Sequence, residues 1–199
     1  LLAEDIEELE APESDKVKIT KRLGSLSREV ERLRGILDAF LQFAGRMKLH
    51  KEDVDLRVVL GELEDFYHPQ CDSEDVVLRM QLPEHPVIAH VDASLLKQAI
   101  LNLLINATHA IQESTTKELM IRLECDANEA RIHIIDTGKG IEEERINEIF
   151  HPYVSSKRGG TGLGLPTTMR IAQEHGGHIT VNSTVGQGSY FIVCVPLQA

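Results

Sequence analysis

Residues 95–111 read Leu95-Leu96-Lys97-Gln98-Ala99-Ile100-Leu101-Asn102-Leu103-Leu104-Ile105-Asn106-Ala107-Thr108-His109-Ala110-Ile111. Leu95, Ala99, Leu103, Ala107 and Ala110, with Ile100 and Leu104 beside them, recur at helical spacing. They give a helix with a wide apolar face of the kind that packs under a sheet. Asp92 stands where its N-cap belongs. Asn102, Asn106 and His109, four and three residues apart, form a polar strip on one face. Two asparagines among Leu101, Leu103, Leu104 and Ile105 are costly if buried without partners, so they either bond core backbone or open onto a polar ligand.

Outward from this helix, alternation over 76–82 and a short apolar run at 87–90 predict two strands ahead of it. Strands are expected at 119–125 and 130–136, a short helix at 142–149, and a helix at 162–174. A closing hairpin at 178–184 and 189–196 turns around Gly186-Gln187-Gly188. Helices and hairpins come in clusters, which predicts an α+β fold: a two-layer α/β sandwich with a mostly antiparallel sheet.

Ahead of residue 51 the pattern differs. Leu23, Leu26, Val30, Leu33, Leu37, Phe40, Ala44 and Met47 alternate spacings of three and four, the heptad rule for a helix in a coiled coil or bundle. Ile36, Leu41 and Phe43 broaden the stripe toward a four-helix bundle. The predicted helix covers about 15–48 with Asp15 as its cap, and residues 1–9 read as the tail of another helix ending near Ala11-Pro12. This makes residues 1–50 a partial helical hairpin whose partners come from a second chain and from upstream sequence, and residues 51–199 a separate domain. A single amphipathic helix docked on its own domain is the alternative.

With 199 residues and a 42% apolar share the chain can bury a real core. A net charge of -11 repels polyanions and argues against nucleic-acid or acidic-membrane binding. Cys71, Cys125 and Cys194 lie far apart with no C-x-x-C pair, as expected of reduced cytosolic thiols rather than of a disulfide framework or a zinc site. No apolar run approaches the roughly 20 residues that cross a bilayer. The acidic N-terminal stretch has the wrong sign for a signal peptide, so the expected setting is cytoplasmic, or the cytoplasmic part of a larger protein.

Three elements carry chemistry. Asn106 offers a neutral amide oxygen, a hard ligand suited to magnesium, whose other positions are usually filled by water and phosphates. Asp136-Thr137-Gly138-Lys139-Gly140-Ile141 follows the strand residues Ile132, Ile134 and Ile135. Glycines there let backbone approach a flat ligand, and a partly buried carboxylate can accept from an exocyclic amine such as that of adenine. Gly159-Gly160-Thr161-Gly162-Leu163-Gly164-Leu165 runs into a helix whose first amides face an anion, with Lys157 and Arg158 ahead of it to neutralise outer phosphates. The loop has no Gly-Lys-Ser/Thr and does not follow the first strand of a Rossmann unit, so it matches neither of those phosphate-binding patterns.

In this order the elements resemble the ATP-binding domain of sensor histidine kinases, the Bergerat-type fold shared with gyrase and the large heat-shock chaperone ATPases. Residues 101–107 resemble that family's N box, 136–141 its first glycine box, Ile149-Phe150-His151-Pro152-Tyr153 its F box, 160–165 its second glycine box and 186–191 its third. The likeness covers about 15–199 and is nearest the nitrogen-regulation type. It implies ATP and magnesium as cofactors, with Asn106 the metal ligand and Asn102 supporting the metal-phosphate site. Asp136 would accept from the adenine amine, Gly138, Gly140 and Ile141 would line the base pocket, and Ser189 would stand beside adenine. Tyr153, Lys157, Gly160, Thr161, Gly162, Leu163 and Gly164 would surround the phosphates, Lys157 assisting transfer, with 142–161 a mobile lid. It also implies homodimerisation through the hairpin and transfer of the γ-phosphate to a histidine and on to a response-regulator receiver domain.

Three positions depart from the family pattern. His109 stands where relatives carry Lys or Arg, so its contact with phosphate stays open. Ser189 replaces a Thr and keeps the hydroxyl. None of the nine histidines is followed by an acid and then Asn-Pro or Thr-Pro, so the phosphoacceptor is expected upstream of Leu1 and this chain is not expected to phosphorylate itself. Two other functions fit the motifs: a gyrase- or chaperone-type ATPase, although its water-activating Glu position is Asn102, and a degenerate kinase acting as a dimeric scaffold.

Overall fold

The computed structural model describes residues 12–45, 47–155 and 160–197. The chain divides into two compact units, residues 1–45 and 46–199. In the first, helix α1 (Glu13–Ala44) is 32 residues long, about 48 Å at the usual helical rise. Its heptad residues Leu26, Val30, Leu33, Leu37 and Phe40 are exposed. Two expectations are corrected. Asp15 does not cap: Pro12, already at φ -54, starts the helix at Glu13, and Asp15 sits in the first turn, paired with Lys18 Nζ at 3.0 Å. The helix ends at Ala44 because Gly45 turns extended, so Met47 lies beyond it. The expected helix tail at 1–9 lies outside the described residues.

The second unit runs β1 (Glu52–Asp55), α2 (Leu56–Ser73), β2 (Val77–Gln81), β3 (Ile88–Val91), α3 (Ala93–Ile111), β4 (Glu118–Cys125), β5 (Glu129–Asp136), α4 (Glu143–Ile146), α5 (Gly164–Glu174), β6 (His178–Thr184) and β7 (Gly188–Pro196). Five strands form one sheet in the order β2-β4-β5-β7-β6, while β1 and β3 pair separately. Only the β2-β4 pair of the large sheet is parallel, so the mostly antiparallel α+β sandwich is as expected.

Alternation decides the faces of the sheet. Leu119, Ile121 and Leu123 of β4, Ile132 and Ile134 of β5, and Phe191, Val193 and Val195 of β7 point to the core. There they meet Leu96, Ile100, Leu103, Leu104 and Ile111 of α3, and Leu56, Leu60, Leu63 and Tyr67 of α2. Truncating one such Leu or Ile to Ala costs about 2–5 kcal/mol. Asp92 caps α3 as expected, accepting from Leu95 N at 3.0 Å, and its second oxygen accepts from His50 N at 2.9 Å. Inside, the hydroxyls of Tyr67 and Thr108 join α2 to α3 at 2.9 Å.

Helix α2 is absent from the sequence reading. Its buried residues Leu56, Val59, Leu60, Leu63, Tyr67 and Cys71 keep helical spacing, but Gly61 and Pro69 interrupt the composition. Among the described residues no helix is long and apolar enough to cross a membrane.

Candidate functional site

Asp136 is the last residue of β5, opposite Ser189 of β7 in the ladder. It faces the core side and is only 4% exposed. Its Oδ1 accepts from Gly138 N at 2.8 Å and Ser189 N at 3.2 Å. Burial pushes the carboxyl up to about 6, against the opposing pull of the Gly138 and Ser189 donors. A carboxylate with two oxygens can accept more hydrogen bonds than these two amides supply.

The turn after Asp136 is built from absent side chains. A Cβ on Gly138 would lie 2.6 Å from Asp136 Oδ1 and 2.7 Å from the Ala110 Cβ, so bare backbone closes against the end of α3. Lys139 N donates to Ala110 O at 3.1 Å. Gly140 has φ +71, and a Cβ there would meet Thr184 O at 2.2 Å. Ile141 N donates to Ser183 Oγ at 2.9 Å, and that hydroxyl donates to Gly188 O at 2.8 Å and sits 3.1 Å from Ser189 Oγ. The first and third glycine segments are thereby tied together around Asp136.

Helix α3 connects this end to the other loop. Asn102, Asn106 and Ala110 are spaced four apart and share one face. The Ala110 end touches the Asp136 turn, and at the other end Asn102 Nδ2 donates to Gly164 O at 3.3 Å. Asn106, half-buried, lies between them, whereas His109 is exposed. The polar strip thus runs from the buried acid to the first residue of α5.

Helix α5 begins two residues later than expected because Gly162, at φ +66, cannot continue a right-handed helix. Gly162 O accepts from Tyr153 N at 3.1 Å, and a Cβ on Gly162 would meet the Tyr153 carbonyl carbon at 2.6 Å. Tyr153 itself has φ 67 and an exposed ring. Thr161 Oγ1 accepts from Leu163 N at 3.3 Å, Leu163 is buried and Gly160 is exposed. The N-cap residue Leu163 has no side-chain acceptor, so the first amides of α5 point at the loop without one from it. Lys157, with Arg158 and Gly159, lies outside the described residues.

Three residues escaped the sequence reading. Ser183 clamps the glycine segments, and its signal was a hydroxyl at a core-facing strand position after Ile179 and Val181. Thr168 Oγ1, 3.2 Å from Ala99 O and 3.1 Å from Gly164 O, fastens the start of α5 to α3. Thr184 supplies the carbonyl that forces glycine at 140. These partners lie tens of residues apart, and nothing local marks them.

This arrangement matches known proteins. Residues 91–199 fit the family model described as histidine kinase-, DNA gyrase B- and HSP90-like ATPase. The sensor histidine kinase ZraS of Klebsiella oxytoca is 32% identical over 177 residues, covering 86% of this chain and 37% of the relative. Sporulation kinase D of Bacillus subtilis is 31% identical over 176 residues, covering 87% and 34%. The chain therefore spans about a third of the curated relatives it matches. Among solved structures, the catalytic domain of histidine kinase ThkA is 25% identical with a TM-score of 0.66, covering 75% of this chain and 96% of that one. Full-length ShkA, solved with AMPPNP, shares the fold at 21% identity and a TM-score of 0.78, covering 100% and 42%. The chain belongs to the histidine kinase-, gyrase B- and HSP90-like ATPase family and carries the ATP-binding domain of a sensor histidine kinase.

Proposed function

We propose that this chain is the nucleotide-binding half of a protein histidine kinase, holding ATP with magnesium so that its γ-phosphate passes to a histidine outside residues 1–199 and then to a response-regulator aspartate. The observation that carries the reading is the buried Asp136 carboxyl, held by Gly138 N and Ser189 N at the mouth of a turn with glycine at 138 and 140. A carboxylate there accepts from the adenine amine, and the glycines at 138 and 140 let the turn close on Ala110 and Thr184, which sets Asp136 for a flat base beside Ile141 and Ser189.

The donor set fits magnesium: Asn106 offers a hard amide oxygen on the strip between the base end and α5, with Asn102 holding Gly164 in place. When bound, the ion would neutralise charge on the β- and γ-phosphates. The first amides of α5, approached through Gly160, Thr161, Gly162, Leu163 and Gly164, receive phosphate oxygens at a positive helix end. Lys157 adds a cation from the lid formed by residues 142–161, Tyr153 borders the same loop, and His109, exposed at the rim, is a second candidate. Positioning and charge neutralisation of this kind are most of what phosphoryl transfer needs from a protein.

Partners and setting belong to the same proposal. The exposed heptad face of α1 supports homodimerisation through a helical hairpin. A response-regulator partner is supported by the complex of ThkA with the response regulator TrrA, whose kinase chain shares this fold at 22% identity and a TM-score of 0.75. A cytoplasmic location without membrane or nucleic-acid contact by this chain accords with its net charge of -11.

Calorimetric titration of the chain with a non-hydrolysable ATP analogue tests the reading. One site is expected, tightened by magnesium, with the magnesium dependence lost in Asn106→Ala. No heat with the parent chain would favour a degenerate scaffold, and steady hydrolysis of ATP to free phosphate would favour a gyrase-type ATPase.

A further inference from the structure

The solvent face of the sheet carries a second constellation, at the strand ends away from Asp136. Cys194 of β7 pairs with His178 of β6 on one side and with Arg131 of β5 on the other. Glu129 lies two residues before Arg131, and strand alternation puts it on the same face as Cys194 and His178. The carboxylate oxygen of Glu129, a ring nitrogen of His178 and Cys194 Sγ all lie within 4.8 Å of one another. Among the described residues this is the group of His, Cys and acidic side chains that converges so closely.

We propose that Glu129, His178 and Cys194 form a binding site for a divalent cation of the zinc class. One thiolate, one imidazole and one carboxylate suit zinc, with water in a fourth position, and the sulfur excludes the oxygen-seeking magnesium and calcium ions. The site is therefore chemically distinct from the magnesium position at Asn106 and independent of the nucleotide reading. Tetrahedral bonds of about 2.0–2.3 Å set ligand atoms roughly 3.5 Å apart, so closure needs a movement of about 1 Å. Cys194 is fixed by ladders on both sides and only 4% exposed, whereas His178 is exposed and the longer Glu129 side chain is half-buried, so these two supply the movement.

Arg131 is the opposing charge. Its Nη1 donates to Glu129 Oε1 at 2.8 Å, but the same nitrogen donates to Asp126 Oδ2 at 2.7 Å. Turning Glu129 toward a metal leaves the guanidinium paired with Asp126. On binding, the Cys194 S–H bond breaks, its proton passes to solvent as the metal–sulfur bond forms, and the aquo ion sheds the waters that the three side chains replace. The bound ion would staple β5, β6 and β7 at the ends opposite Asp136, Ser183 and Ser189.

Untagged chain, stripped with a chelator and kept reduced, is titrated with Co2+ and then with Zn2+. One equivalent of Co2+ is expected to give a thiolate-to-cobalt charge-transfer band that Zn2+ abolishes and excess Mg2+ leaves unchanged. Cys194→Ser should lose the band, and His178→Ala, a change at an exposed position that leaves folding intact, should weaken Zn2+ by more than about tenfold. Cys125→Ser should bind as the parent does, and Zn2+ should raise the melting temperature of the parent but not of His178→Ala. Absence of the band in the folded parent, its survival in Cys194→Ser, its loss in Cys125→Ser, or unchanged Zn2+ affinity in His178→Ala would overturn the proposal.

Discussion

Replacing Asp136 with Asn removes a charge that the folded chain holds at a cost. Burial raises this carboxyl to about 6 from its ordinary 3.8. Between those values the folded state keeps a proton that the unfolded state has released, so stability falls as pH rises from about 4 to 6 and is level above. A shift of that size corresponds to about 3 kcal/mol. Asn keeps the shape and an oxygen for Gly138 N and Ser189 N but does not ionise. The stability of Asp136→Asn relative to the parent should therefore improve by about 2 kcal/mol between pH 4 and pH 7. Other titrating groups, among them Asp55, Asp92 and Asp126, are common to both proteins and cancel in the difference. All three tyrosines lie in the second unit and the chain has no tryptophan, so tyrosine fluorescence during urea unfolding reports on that unit alone. Parallel stability profiles for the two proteins would refute the argument that burial of this carboxyl dominates its titration.

Gly140→Ala should destabilise the second unit by more than about 2 kcal/mol, from the left-handed φ and the Thr184 carbonyl 2.2 Å from the new Cβ. It should also weaken nucleotide binding, and a change under about 0.5 kcal/mol in urea unfolding would show that the turn yields freely. His175 is buried, with Nδ1 donating to Ile171 O at 2.8 Å and Nε2 accepting from Asp92 N at 2.9 Å, and burial holds its imidazole below the ordinary 6.5. The neutral ring thus contributes stability that is full above pH 6.5 and declines below it. Relative to the parent, His175→Gln should lose less melting temperature between pH 7 and 5.5, where His133, which burial also depresses, and Asp136, which acts in the opposite sense, contribute equally to both proteins. Tyr67→Phe removes the hydroxyl 2.9 Å from Thr108 Oγ1, while Thr108 still donates to Leu104 O, so urea unfolding should register a loss of about 1 kcal/mol.

Much of the second unit was legible because its periodicities are uninterrupted. Helix α3 announced itself through Leu95, Ala99, Leu103 and Ala107 and through the cap at Asp92, although Leu96 is buried in place of Leu95, and β6 and β7 announced themselves through alternation about the turn at 185–187. Helix α2 escaped because Pro69 and Gly61 mask a spacing that tertiary burial of Leu60, Leu63 and Tyr67 nevertheless enforces. The boundary of α1 was misjudged because a fixed proline φ outweighed the preference of Asp15 for a cap. In the site, Asp136, Gly138 and Gly140 were marked by an acid and glycines at a strand end. The clamp by Ser183 and the brace by Thr168 were not, since each depends on a partner that only the folded chain brings near.

Discrimination between adenine and guanine tests the central claim most directly. Asp136 accepts hydrogen bonds, adenine presents an amine donor at the matching edge, and guanine presents a carbonyl acceptor there. Calorimetric affinities of the magnesium complexes of non-hydrolysable ATP and GTP analogues should differ by at least about 100-fold in favour of ATP at pH 7.5, where Asp136 is ionised. In Asp136→Asn the ratio should collapse toward unity. Equal affinity of the parent chain for both nucleotides, or a preference for ATP that survives the substitution, would contradict the assignment of this pocket.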